Sequence, residues 1–70
     1  MKYVICVNND DYAASLEVRK LYASLPDDDA AQHGQLRVID ESGEDYLYPA
    51  SYFVAVDLPA DVEKTIAEVA

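Results

Sequence analysis

The chain contains one cysteine in 70 residues, which limits how it can be stabilised. One cysteine cannot form a disulfide within the chain, and one cysteine with one histidine cannot complete a Cys/His zinc site. A chain of this length buries only about 60% of the surface that its unfolded form exposes. We therefore expect one domain over residues 1–70 that folds on a small hydrophobic core.

Apolar residues are frequent enough to build such a core. Val, Ile, Leu and Phe number 18, a larger share than disordered chains contain. No apolar run approaches the roughly 20 residues that a bilayer span needs, and no segment resembling a signal peptide opens the chain. These features predict a cytoplasmic protein that does not bind membranes.

The net charge of −9 is distributed unevenly. Residues 1–25 are neutral, whereas residues 26–70 contain eleven acids against Arg37 and Lys64. The acids fall into three clusters, at residues 27–29, 40–45 and 57–68. A negative surface disfavours direct binding to nucleic acid phosphates and favours a protein partner with a basic surface.

Short apolar runs separated by polar segments predict a mainly β chain. Gly43 can adopt the positive φ that a hairpin loop between two of these strands requires. In the last strand, Tyr52, Val54 and Val56 share one face. The predicted strands cover Tyr3–Val7, Leu36–Asp40, Tyr46–Tyr48 and Tyr52–Val56.

The apolar period changes after Pro59. Val62, Ile66 and Val69 lie at positions i, i+4 and i+7, and acidic residues occupy the first turn. Proline at a helix start and acids in its first turn are both favourable. The pattern predicts strands within residues 1–58 and a short amphipathic C-terminal helix over residues 59–69.

Residues 12–25 fit two interpretations. Ala14, Val18 and Leu25 fall at helical spacing, which gives an α+β alternative with a helix over residues 12–25. If the segment is instead a strand, in which side chains alternate between two faces, Leu16 and Val18 share a face. The alternation of apolar residues then shifts by one position across Arg19-Lys20. A turn or bulge at this point would explain the shift. Pro26 ends the element in either interpretation.

Three phrases in order resemble an SH3-like small β-barrel. Ser15 to Tyr22 is similar to the diverging-turn segment of SH3 domains, and Leu36 to Tyr48 resembles the distal hairpin. Tyr48 to Val54 resembles the short 3₁₀ helix before the last SH3 strand. The resemblance implies a barrel of about five short strands. The phrase at residues 40–49 also resembles small acidic bacterial proteins of unknown function.

The resemblance also implies a binding site. The proline and the tyrosine that line the peptide groove of SH3 domains correspond to Pro49 and Tyr52, and Asp10 and Asp11 correspond to acids that receive a basic ligand residue. The chain has no tryptophan, on which that groove relies, and it lacks the family's alanine-leucine-tyrosine-aspartate-tyrosine opening.

The tyrosines extend this candidate face. Tyrosine is common at interfaces because it combines a large apolar ring with a hydroxyl group. Tyr46 and Tyr48 share a strand face, close in sequence to Tyr52. The candidate binding residues are therefore Tyr46, Tyr48, Pro49, Tyr52, Asp10 and Asp11.

The sequence contains no recognisable catalytic or metal-binding pattern. Cys6 lies in an apolar strand, where free cysteine usually behaves as a small buried hydrophobe, and His33 lies in a polar loop. Counted as an EF-hand loop from Asp27, the chain has Gln32 in place of the glycine and Val38 in place of the bidentate glutamate. We expect no metal, no cofactor and no enzymatic activity.

Three functions remain open at this point. The first is a non-enzymatic protein-interaction or regulatory module. The second is an acidic mimic of nucleic acid that inhibits a basic protein. The third is a structural subunit that self-associates as a homo-oligomer, because a small core and an amphipathic helix can be completed by a second copy.

Overall fold

The computed structural model describes residues 2–69, which form one five-stranded antiparallel sheet and a short C-terminal helix. The predicted mainly β fold with a C-terminal helix is therefore confirmed. A 3₁₀ helix at Ala50–Tyr52 lies between the last two strands. The other elements are β1 (Lys2–Cys6), β2 (Leu21–Leu25), α1 (Asp28–Gln32), β3 (Gln35–Ile39), β4 (Asp45–Pro49), β5 (Phe53–Val56) and α2 (Ala60–Val69).

The strands follow the spatial order β4-β3-β2-β1-β5. Strands β3 and β4 form the predicted hairpin, in which Val38 lies opposite Tyr46 and Leu36 lies opposite Tyr48. Gly43 has a φ of 82° in the connecting turn, which a residue without a Cβ adopts at no steric cost. The final strand, β5, returns to pair with β1.

The alternative of a helix over residues 12–25 is wrong. Residues 13–15 and 18–19 are turns, and residues 21–25 form β2. The shift in the alternation of apolar residues coincides with Arg19, which has a φ of 74°. Strand β2 pairs with β1 on one side and with β3 on the other, and this pairing outweighs the helical preference of a short segment.

The last strand begins one residue later than the alternation predicted. Tyr52 belongs to the 3₁₀ helix, and β5 begins at Phe53, which is 9% exposed. Val54 and Val56 do share a face, but Val54 is 54% exposed. This face is the outer one, and Phe53 supplies the core contact.

The connection between β4 and β5 forces the sheet to curve. These strands lie at opposite edges of the sheet, which would place them about 19 Å apart in a flat sheet at the usual strand spacing. The three residues of the 3₁₀ helix join them, and four backbone steps span at most about 14 Å. The ring centroids of Tyr48 and Phe53 are 6.2 Å apart, as expected of a strongly curved sheet.

The curved sheet encloses one hydrophobic core. Leu16 reaches the core from the long loop between β1 and β2 and is fully buried. The Asn9 side chain holds this loop by donating a hydrogen bond from Nδ2 to the Leu16 carbonyl oxygen at 3.0 Å. The buried core residues are Val4, Cys6, Leu16, Tyr22, Val38, Tyr48 and Phe53.

Helix α2 is attached loosely to the rest of the chain. None of its described residues is buried, and Val62 is 40% exposed. It covers Tyr3, on the outer face of the sheet, which is only 6% exposed. At ten residues, α2 is too short to cross a bilayer, and no other helix within residues 2–69 is long and apolar enough to do so.

We predict that Leu16→Ala lowers the free energy of unfolding by about 2–4 kcal/mol, because it removes a fully buried side chain and leaves a cavity. Urea denaturation followed by circular dichroism measures the change. Val18→Ala is the matched control, since Val18 lies in the same loop and is 44% exposed. Equal losses in the two variants would show that the loop does not close the core.

Candidate functional site

Three tyrosine rings meet where the loop after β1 approaches the 3₁₀ helix. Tyr12 packs edge-on against Tyr48, with ring centroids 4.9 Å apart, and against Tyr52 at 6.1 Å. Such edge-to-face pairs add about 0.5–1.5 kcal/mol beyond the burial of their area. The backbone amide of Val7 donates to the Tyr52 carbonyl oxygen at 2.8 Å and ties the two segments together.

The three rings differ in their access to solvent. Tyr48 is 3% exposed and belongs to the core. Tyr12 is 37% exposed and Tyr52 is half-buried. Of the three rings, only Tyr12 and Tyr52 can therefore offer surface to a partner. The Tyr48 ring packs against Tyr12 from the core.

Two acidic residues lie beside the exposed rings. The Tyr52 hydroxyl donates to the backbone carbonyl oxygen of Asp10 at 3.2 Å. Burial, followed by the negative charges of Asp10 and Asp11, raises the pKa of the Tyr52 phenol above its ordinary value. Asp11 has a φ of 71°, a conformation that aspartate tolerates better than most residues. We call Tyr12, Tyr52, Asp10 and Asp11 the tyrosine-acid face.

The structure brings together only part of the predicted site. Pro49 is half-buried at the end of β4, immediately before the 3₁₀ helix that contains Tyr52. Tyr46 is 50% exposed and belongs to the hairpin, where its hydroxyl donates to Glu44 at 2.9 Å. The sequence reasoning missed Tyr12, although a large aromatic residue directly after two aspartates in a polar loop was an available indication.

A buried carboxylate organises the hairpin turn. Asp40 is 7% exposed, and its Oδ2 accepts a hydrogen bond from the Tyr48 hydroxyl at 2.6 Å. Its Oδ1 accepts from the Ser42 amide at 2.8 Å and from the Ser42 hydroxyl at 2.5 Å. Burial raises the pKa of Asp40, but the hydrogen bonds from Ser42 and Tyr48 together outweigh it and hold the pKa below its ordinary value.

A second polar cluster joins the hairpin to the start of β2. The carboxylate of Glu41 accepts hydrogen bonds from the Tyr22 hydroxyl at 2.5 Å and from Lys20 Nζ at 2.7 Å. The backbone amide of Glu17 donates to the Tyr22 hydroxyl oxygen at 2.7 Å. Hydrogen bonds from Lys20 and then from Tyr22 lower the pKa of Glu41, so this carboxylate remains ionised.

The remaining chemically interesting side chains have structural contacts. Cys6 is fully buried, and its Sγ donates to the Asn8 carbonyl oxygen at 3.2 Å. His33 Nδ1 lies 2.7 Å from the Asp29 carbonyl oxygen. Asp27 caps α1 by accepting from the Ala30 amide and pairs with Arg37 Nε at 2.9 Å. Within residues 2–69, no three His, Cys, Asp or Glu side chains are grouped to hold a metal ion.

Comparison with known proteins identifies no relative. No family model matches the chain, and neither the curated proteins nor the solved structures contain a significant match. Functional inference therefore depends on the contacts and charges of the chain itself.

We predict that Asp40→Asn lowers the free energy of unfolding at pH 7 by about 1–3 kcal/mol, because it weakens three hydrogen bonds to a buried charge. The pKa of Asp40 is lowered on folding, so its stabilising effect is present above the ordinary value of 3.8 and is lost as the pH falls through the folded value. The difference between the two proteins should therefore shrink on acidification below about pH 4.

Urea denaturation at several pH values measures this difference. Asp57→Asn is the control, because Asp57 is exposed. A gap between wild type and Asp40→Asn that stays constant from pH 7 to pH 3 would contradict the assigned role of the ionised carboxylate.

Proposed function

We propose that the chain is a non-enzymatic protein-interaction module that binds a basic segment of a partner through the tyrosine-acid face. The observation that carries this proposal is the pairing of two solvent-accessible tyrosine rings, Tyr12 and Tyr52, with Asp10 and Asp11. Aromatic ring faces attract cations, and adjacent carboxylates add a direct charge interaction with lysine or arginine.

We also propose that the curved sheet is an SH3-like barrel. Three local features support this. Strand β2 follows a turn at Val18–Arg19, where the diverging turn was expected. Strands β3 and β4 form a hairpin in the position of the distal hairpin. A 3₁₀ helix at Ala50–Tyr52 precedes the last strand. The short connection between the two edge strands supplies the curvature that a barrel needs.

The charge distribution supports a basic partner. Among residues 2–69, the ion pairs involve the acids Asp27, Glu41 and Asp45, which leaves 11 of the 14 acids without a basic partner. Asp10 and Asp11 belong to this unpaired group. An excess of unpaired negative charge accelerates association with a basic segment and makes the association sensitive to salt.

Selection of a random peptide display library against the intact chain tests the proposal. We expect the enriched peptides to be rich in lysine or arginine. Tyr12→Ala and Tyr52→Ala should each weaken binding of an enriched peptide by about tenfold or more, as loss of an aromatic anchor usually does. Tyr52→Phe should bind nearly as well as wild type, because it keeps the ring.

Tyr46→Ala is the matched control, since Tyr46 is an exposed tyrosine outside the tyrosine-acid face. It should leave peptide affinity within about twofold of wild type. Circular dichroism of each variant separates lost binding from lost folding. Failure to enrich basic peptides, or equal effects of Tyr46→Ala and Tyr52→Ala, would reject the proposed face.

A further inference from the structure

A second candidate site lies beneath helix α2, on the face of the sheet that points away from the hydrophobic core. A cleft of about 510 Å³ separates the helix from the outer face of the sheet. This volume falls within the range of about 300–1,000 Å³ that is typical of small-molecule sites. Its apolar walls are formed by Tyr3, Leu21, Ala23, Ile39, Ile66 and Ala67.

The cleft exists because both faces of the sheet are apolar. Residues such as Val4 and Tyr22 point to the core, whereas Tyr3 and Leu21 occupy the alternate positions and point outward. A sheet that is apolar on both faces needs a cover on both. Helix α2 supplies only part of this cover, because Leu21, Ala23 and Ile39 on this face are only partly buried.

Polar groups are concentrated at one end of the cleft. Lys20, Asp40 and Glu41 lie there, beside the hairpin turn. Only the carboxylate of Glu41 faces the ammonium group of Lys20, because the Asp40 carboxylate is hydrogen-bonded to Tyr48 and Ser42. Glu41 is also held by the Tyr22 hydroxyl. Lys20 pairs with Glu41 at 2.6 Å, but its side chain is 46% exposed. An exposed lysine can leave such a pair at little cost.

We propose that this cleft binds a small amphipathic amine. Its apolar body lies between α2 and strands β1 to β3, and its ammonium group takes the place of Lys20 Nζ at Glu41. The site selects the amine over a carboxylic acid of the same shape for two reasons. Glu41 is the less exposed partner of the ion pair and is also held by Tyr22, so Lys20 is the partner that can be displaced. The chain as a whole is negative.

Titration with octylamine, octanol and octanoate at pH 7 and low salt tests the inference. Two-dimensional NMR of the intact chain reports both affinity and location. We expect octylamine to bind about three- to fivefold more tightly than octanol, because an ion pair at a partly exposed carboxylate contributes only modestly, and octanoate to bind most weakly. Shifts should be centred on Ala23, Ile39 and Ile66.

Two pairs of variants locate the ligand. Ala67→Phe fills the cleft and should abolish octylamine binding, whereas Thr65→Phe, at an exposed position of the same helix, should not. Lys20→Met and Lys64→Met change the net charge equally. Only Lys20→Met frees the carboxylate of Glu41, so only this variant should raise octylamine affinity.

Three results would overturn the proposal. Octylamine could bind no more tightly than octanol, which would leave an apolar cleft without selectivity for charge. The two lysine variants could have equal effects. Sedimentation could show a dimer that Ala67→Phe dissociates, in which case a second copy of the chain occupies the cleft. None of these results bears on the tyrosine-acid face, which lies elsewhere and is tested separately.

Discussion

Three residues connect the two edge strands of this sheet, and the rest of the structure depends on that short connection. Because Ala50–Tyr52 cannot span a flat five-stranded sheet, β4 and β5 are drawn toward each other and the sheet curves around Leu16, Val38 and Cys6. The same 3₁₀ helix carries Tyr52 to the loop after β1, where it meets Tyr12. The element that shapes the core thus also assembles the proposed contact face.

The acidic hairpin turn also has a structural role in the curved sheet. Asp40 directly follows β3 and lies against Tyr48, whose ring completes the core. Burying a carboxylate is costly unless its oxygens are hydrogen-bonded, and here Ser42 and Tyr48 provide those bonds. The carboxylate of Glu41, the next residue, instead accepts hydrogen bonds from Lys20 and Tyr22 at the end of the cleft beneath α2. Adjacent acids in one cluster therefore have different roles, which composition alone cannot separate.

Much of the secondary structure could be predicted from local pattern, and the failures have physical causes. The hairpin around Gly43 and the helix after Pro59 are confirmed, because turn chemistry and a change of apolar period are local properties. Residues 21–25 were ambiguous because their pairing with β1 and β3 decides that they form a strand. The local sequence pattern does not reveal which segments will pair. Tyr12 was missed because its contacts with Tyr48 and Tyr52 join residues about 36 to 40 positions apart.

The sequence by itself determined the absence of an internal disulfide and the strongly negative charge of residues 26–70, and it favoured a mainly β chain with a C-terminal helix over the α+β alternative. These follow from the number, type and spacing of residues along the chain. Only the tertiary structure decided which tyrosines are core and which are surface. Tyr46 and Tyr48 share one strand face, yet one is 50% exposed and the other 3%. The physical reason is that the curved sheet and the loop after β1 close over Tyr48, whereas Tyr46 lies beside the hairpin turn and remains exposed to solvent.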